Sequence, residues 1–189
     1  MIRFSIIATL LVLAAAPASA SSRTQAYAPG TCPVALTLPW ADPALLPDGL
    51  VNGLLDWIET ETDYDVSPVR ADPPAVTFCE TGQAIPYENA EVLIGEDIYG
   101  IYDSLRRQVI LRLPWSAEDP RDRGVLLHEL VHRVQLANGD WDCLNAPEWE
   151  AYTLQARYLE AHGIDPGFDW LHIYSLSRCQ RDIHPAAGD

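Results

Sequence analysis

The sequence predicts an α+β domain in which a small β-sheet leads directly into a helix that carries two histidines. Three observations point to it. Short segments rich in Val, Ile, Phe and Tyr recur across residues 75–113. Helical apolar spacing occupies the chain on either side of them, over residues 50–58 and again from Leu126 onward. Proline, glycine and an Asn-Gly step stand at the boundaries between the two kinds of segment.

Residues 1–20 read as an export signal. Arg3 supplies the positive start, residues 6–16 form an apolar stretch too short to span a bilayer, and Ala18-Ser19-Ala20 is a small-residue cleavage site. Cleavage after Ala20 leaves a single domain over residues 21–189. Position 21 is Ser rather than Cys, and no other stretch is long and apolar enough to anchor. The expected location is therefore the periplasm or the exterior, with no stable membrane anchor.

All twelve basic residues are Arg, against 27 acids, for a net charge of −15. Loss of Arg3 with the signal takes this to 11 − 27 = −16. A field of that sign repels polyanions, so nucleic acid is excluded as a partner. Four cysteines lie too far apart for a Cys-x-x-Cys metal site. In an exported chain an even count predicts two disulfides. The expected pairs are Cys32–Cys79 and Cys143–Cys179, each within one half of the chain.

Along the chain, residues 21–40 form an extended lead-in rich in Pro, Ala and Thr. Asp48 is expected to open a helix, because Leu50, Val51, Leu54, Leu55 and Ile58 share one face. Residues 63–72 are polar and run into the prolines at 73 and 74. Strands are expected over 75–79, 92–94, 98–102 and 108–113, the last two joined by the hairpin loop 103–107. Pro114 stops the last strand. Asp119 as cap and Pro120 at the first helical position then start a helix that runs to about Leu136 and stops at Asn138-Gly139. A further helix is expected between Asn145 as cap and Gly163 just past its end. A final one covers residues 168–176.

The long helix carries His128-Glu129-Leu130-Val131-His132. Four residues of helix rise about 6 Å, so the two imidazoles lie one above the other on one face and can grip one ion. Glu129 lies about 100° round the helix and flanks that ion without ligating it. Leu126, Leu127, Leu130, Val131 and Val134 form an apolar arc with the histidines roughly opposite its centre. Two neutral nitrogens with a neighbouring carboxylate are what a zinc hydrolase uses.

A catalytic zinc takes three protein ligands and a water, so a third is needed downstream. The longer histidine-rich signature would put Gly at 135 and His at 138, where this chain has Gln135 and Asn138. The remaining option is a carboxylate on the next helix, Glu148 or Glu150. Asn145 and Glu148 have capping-box spacing, which would occupy Glu148 with backbone and leave Glu150 for the metal. Against this, Glu148 falls within the arc of Ala151, Tyr152, Tyr158 and Leu159, while Glu150 lies at its border beside Arg157.

Over residues 98–162 the chain resembles the gluzincin group of zinc metallopeptidases, and more narrowly its small secreted, minigluzincin-like members. The third ligand in that group is a glutamate on the helix after His-Glu-x-x-His. Glu148-Trp149-Glu150-Ala151 matches the group's Glu-x-x-Ala with Glu148 in the ligand position. Tyr152 departs from the pattern, standing where many members have an Asp that supports the first histidine.

The resemblance implies a zincin-like fold: a small, mostly antiparallel sheet packed on the His-Glu-x-x-His helix, followed by the glutamate-bearing helix crossing beside it. It implies that strand 108–113 is the edge that receives an extended peptide. It also implies Zn2+ as cofactor, Glu129 as general base, and a peptide or protein as substrate. The donor to the tetrahedral oxygen is commonly Tyr or His in the group, and His162, His172 and Tyr174 are the candidates here. The competing reading is an inactive, zinc-stabilised exported protein that binds or inhibits a partner. The intact Glu129 favours the enzyme, since a structural site has no use for a base.

Overall fold

The computed structural model describes Cys32 and residues 46–87, 90–139, 141, 143 and 145–179. The expected signal and most of the lead-in lie outside the described residues. Five helices and five strands follow in the order α1 (Leu50–Glu61), α2 (Ser67–Ala71), β1 (Ala75–Cys79), β2 (Ala84–Tyr87), β3 (Ala90–Leu93), β4 (Gly100–Asp103), β5 (Gln108–Arg112), α3 (Pro120–Asn138), α4 (Glu148–Ala161) and α5 (Trp170–Leu176). The fold is α+β with a small mixed sheet. No described helix is long and apolar enough to cross a membrane.

The main sheet has the order β1-β5-β4. β5 pairs in parallel with β1 and antiparallel with β4, so it is the central strand. This corrects the expectation that 108–113 is an edge: both rows of its backbone groups are already spent on neighbours, and none remains for a peptide. It also corrects "mostly antiparallel" for this sheet. β2 and β3 form a separate antiparallel ribbon, and β2 was not expected, because Pro86 interrupts its short pattern.

Strand alternation sends Val109 and Leu111 into the main core, where Leu126, Leu127 and Leu130 of α3 also lie. Ile110 points the other way, into a smaller cluster with Cys32, Cys79, Ile85 and Ile94 under the β2–β3 ribbon. The Cys32–Cys79 disulfide lies in that cluster, and the Cys143–Cys179 disulfide ties the α3–α4 connection to the segment after α5. Both pairings are those expected.

Local signals set most helix ends. The Asp119 carboxylate accepts from the Arg121 N–H and Pro120 takes the first turn of α3, as expected. α1, however, starts after Gly49 at φ 82° instead of at Asp48. The polar stretch 63–72, for which no element was expected, contains the short helix α2, with Pro68 in its first turn. α4 begins later than expected and without a side-chain cap: the Asn145 carbonyl accepts from the Glu148 N–H. The capping box therefore does not form, and the Glu148 side chain is free for other partners. α5 is shorter than expected and is capped by Asp169, which accepts from the Leu171 and His172 amides.

Candidate metal centre

α3 is buried nearly all round. The apolar arc faces the core, and the face carrying His128 (7% exposed) and Glu129 (6%) is covered as well. That second cover comes from α4 and β4, both packed on α3. α4 turns its own buried face, Ala151, Leu154, Gln155 and Tyr158, inward, and this rotation carries Glu148 to the histidines.

His128 Nε2 and His132 Nε2 lie 3.0 Å apart. Glu148 Oε2 lies 3.3 Å from the first and Glu148 Oε1 3.4 Å from the second. The three side chains form a group that could hold a metal ion, the only such group among the described residues. Two properties of the donor set fit an ion. Ligand atoms on a tetrahedral ion with bonds of about 2.0–2.1 Å stand about 3.3 Å apart; each imidazole lies at about that distance from one of the two Glu148 oxygens, and the two imidazoles, at 3.0 Å, are slightly closer. Two imidazole lone pairs facing each other at this distance also repel unless a cation or a proton lies between them.

The charges in the group are coupled. Burial by itself would raise the Glu148 carboxyl, but the bonds from His128 and His132 and their charges hold it well below the usual range. Burial would depress His132, yet its bond to Glu148 and the charges of Glu129 and Glu148 leave it raised. Glu129 is pushed up by burial, partly offset by His128 and His132 and by an N–H bond from Tyr102. A carboxyl whose proton affinity is raised by burial, beside a metal group, suits a proton acceptor.

The supports of the two histidines differ. His132 Nδ1 donates to Gln135 Oε1 at 3.1 Å. His128 Nδ1 is buried with no hydrogen-bond partner, and the Tyr152 ring stands edge-on to this imidazole with centroids 4.5 Å apart. The position where the resemblance expects a supporting Asp is thus filled by an aromatic ring. Glu150 does not face the histidines; it accepts from Gln135 Nε2 at 2.9 Å and from the Tyr64 hydroxyl at 2.5 Å.

A cleft of about 580 Å³ opens on His128, Glu129 and Tyr152. Gly100 and Ile101 of β4 form one wall, and Phe168, His172 and Ile173 another. Of the three donor candidates, only His172 lines it. Tyr174 packs on Trp149, and His162 Nδ1 bonds the Tyr158 carbonyl at the end of α4, facing a different concavity beside α1. Residues the sequence reading did not place in the site are Gly100, Gln135 and Tyr64. Gln135 carried a signal, since it stands three residues after His132 on the same helix face. Gly100 and Tyr64 carried none.

The fold and the site define an α+β protein with a two-histidine, one-glutamate group capable of holding a metal ion. The chain belongs to the family described as a domain of unknown function (DUF6647), whose model matches residues 43–186. No curated protein and no solved structure matches it.

Proposed function

We propose that the protein is an exported zinc metallopeptidase with a zincin-like arrangement, in which His128, His132 and Glu148 hold the metal and Glu129 is the general base. The observation that carries this reading is the conjunction of the ligand group with a buried, upward-shifted carboxylate that opens into a cleft. Zinc at these ligands would supply a Lewis acid that acidifies a water and polarises a carbonyl.

The chain's own residues would do the rest. Glu129 would accept the proton of the attacking water and return it to the leaving nitrogen. β4, an outer strand of the sheet, borders the cleft and offers an extended peptide a backbone partner. His172, which lines the cleft, would be the donor toward the developing oxyanion. Asp97, Glu129 and Asp169 line the cleft among apolar side chains, with no Arg among the described lining residues. Peptides with apolar or basic side chains would suit it, and acidic ones would be repelled.

The test is zinc content by elemental analysis together with digestion of a broad peptide library. About one zinc per chain and cleavage abolished by chelation are expected, with acidic peptides disfavoured. Protein that will not take up zinc at neutral pH would end the reading. Zinc without cleavage of any peptide would move the inactive binding protein ahead.

A further inference from the structure

We infer that Gln135 is a positioning residue that fixes the tautomer of His132, and that Glu150 and Tyr64 act through it by locking its amide. This rests on the proposed metal reading and adds to it a second set of residues that contact neither metal nor substrate.

The argument is one of donors and acceptors. Gln135 is 1% exposed, so every polar atom of its amide must be satisfied inside the protein. Its Nε2 faces the Pro147 carbonyl at 3.2 Å and Glu150 Oε2 at 2.9 Å, and both can only accept. A flipped amide would set its oxygen against those two oxygens, so the orientation is determined. Oε1 must then face His132 Nδ1, and since a carbonyl oxygen only accepts, Nδ1 must carry the proton. In the neutral ring that leaves Nε2 bare, which is the nitrogen directed at His128 and Glu148.

The chain of bonds continues outward. Glu150 Oε2 is fixed in turn by the Tyr64 hydroxyl, whose own ionisation is pushed up by burial and by this carboxylate. Tyr64 belongs to the turn after α1, which Asn138 also pins by accepting from the Asp65 N–H at 2.9 Å. The orientation of His132 is thus set from three separate parts of the chain: α3, α4 and the segment following α1. Such outer partners typically change metal affinity by about 10–100-fold when removed.

The experiment measures zinc affinity by competition with a chromophoric chelator, and the His132 tautomer in metal-free protein by ring-nitrogen NMR at alkaline pH, where the ring is neutral. Gln135→Leu should weaken zinc binding by about 10–100-fold and populate the Nε2–H tautomer of His132. Glu150→Ala, at a half-buried site that tolerates truncation better, should weaken it in the same direction. Glu150→Gln keeps an acceptor oxygen and should restore most of the loss. A merely structural role would lower the melting temperature of these variants without moving the tautomer or the affinity of the folded fraction. Unchanged tautomer and zinc affinity within twofold of wild type in Glu150→Ala, or in folded Gln135→Leu, would overturn the inference. If wild type takes up no zinc, the metallopeptidase reading fails, while the tautomer measurement still decides the role of Gln135.

Discussion

Gly100 in β4 lies so close to Glu129 that a Cβ added to it would stand 2.8 Å from the carboxylate Oε1 and 2.8 Å from Val125 Cγ1. The missing side chain is therefore what lets the outer strand approach α3 and hold the base against the Tyr102 N–H. Gly100→Ala should destabilise the fold by about 1–3 kcal/mol through overpacking. It should also displace Glu129 and reduce peptide hydrolysis while zinc content stays near one per chain. Thermal melts, elemental analysis and turnover on one preparation check it. A variant as stable and as active as wild type would show that the contact imposes nothing.

Glu129→Gln separates the enzyme from the structural-zinc protein. The amide keeps the size of the side chain and an oxygen that can accept from Tyr102, and it removes a charge that burial disfavours. Stability should be equal to wild type or higher, and zinc should be retained. Hydrolysis should fall by at least about a hundredfold, the scale of a positioned acid-base group. Retained zinc with retained activity would rule out the mechanism.

Glu148 and Glu150 should respond differently to the same change. Glu148 sits on both imidazoles, whereas Glu150 reaches His132 only through Gln135. Glu148→Gln should weaken zinc binding by more than the about 10–100-fold of an outer-shell loss, and Glu150→Gln by less. Zinc titration of the two purified variants measures this. The reverse order would transfer the ligand role to Glu150.

The Cys143–Cys179 bridge spans 36 residues that include α4 and α5. Closing a loop of that length restricts the unfolded chain, and its loss should cost about 3–4 kcal/mol. The double replacement Cys143→Ser with Cys179→Ser should therefore lower the urea midpoint and loosen α5, which supplies His172 and Ile173 to the cleft. His128, His132 and Glu148 belong to α3 and α4, so zinc content should be unchanged. Loss of zinc in folded double variant would mean that the bridge positions the ligands themselves.

Much of this protein was legible in its sequence because the signals were local. The i, i+4 spacing alone put His128 and His132 on one face of a helix. Asp119 followed by Pro120 started that helix where expected, and the run 75–79 formed a strand with the anticipated bounds. The inward arc of α4 favoured Glu148, and Ala151, Tyr158 and Leu159 of that arc are buried. What the sequence left open depended on how distant elements meet. Glu148 and Glu150 sit two residues apart in the first turn of α4, and only the rotation of that helix against α3 directs one to the imidazoles and the other to Gln135 and Tyr64. The central place of β5 was decided by pairing with β1, about thirty residues earlier, and strand pairing leaves no mark in local periodicity. Its one trace was the unbroken apolar run 109–111, the pattern of a strand covered on both faces. Gly100 shows the same division: nothing around it in the chain marks it, and its role exists only because the tertiary fold brings the Glu129 carboxylate to within 2.8 Å of where a Cβ would stand.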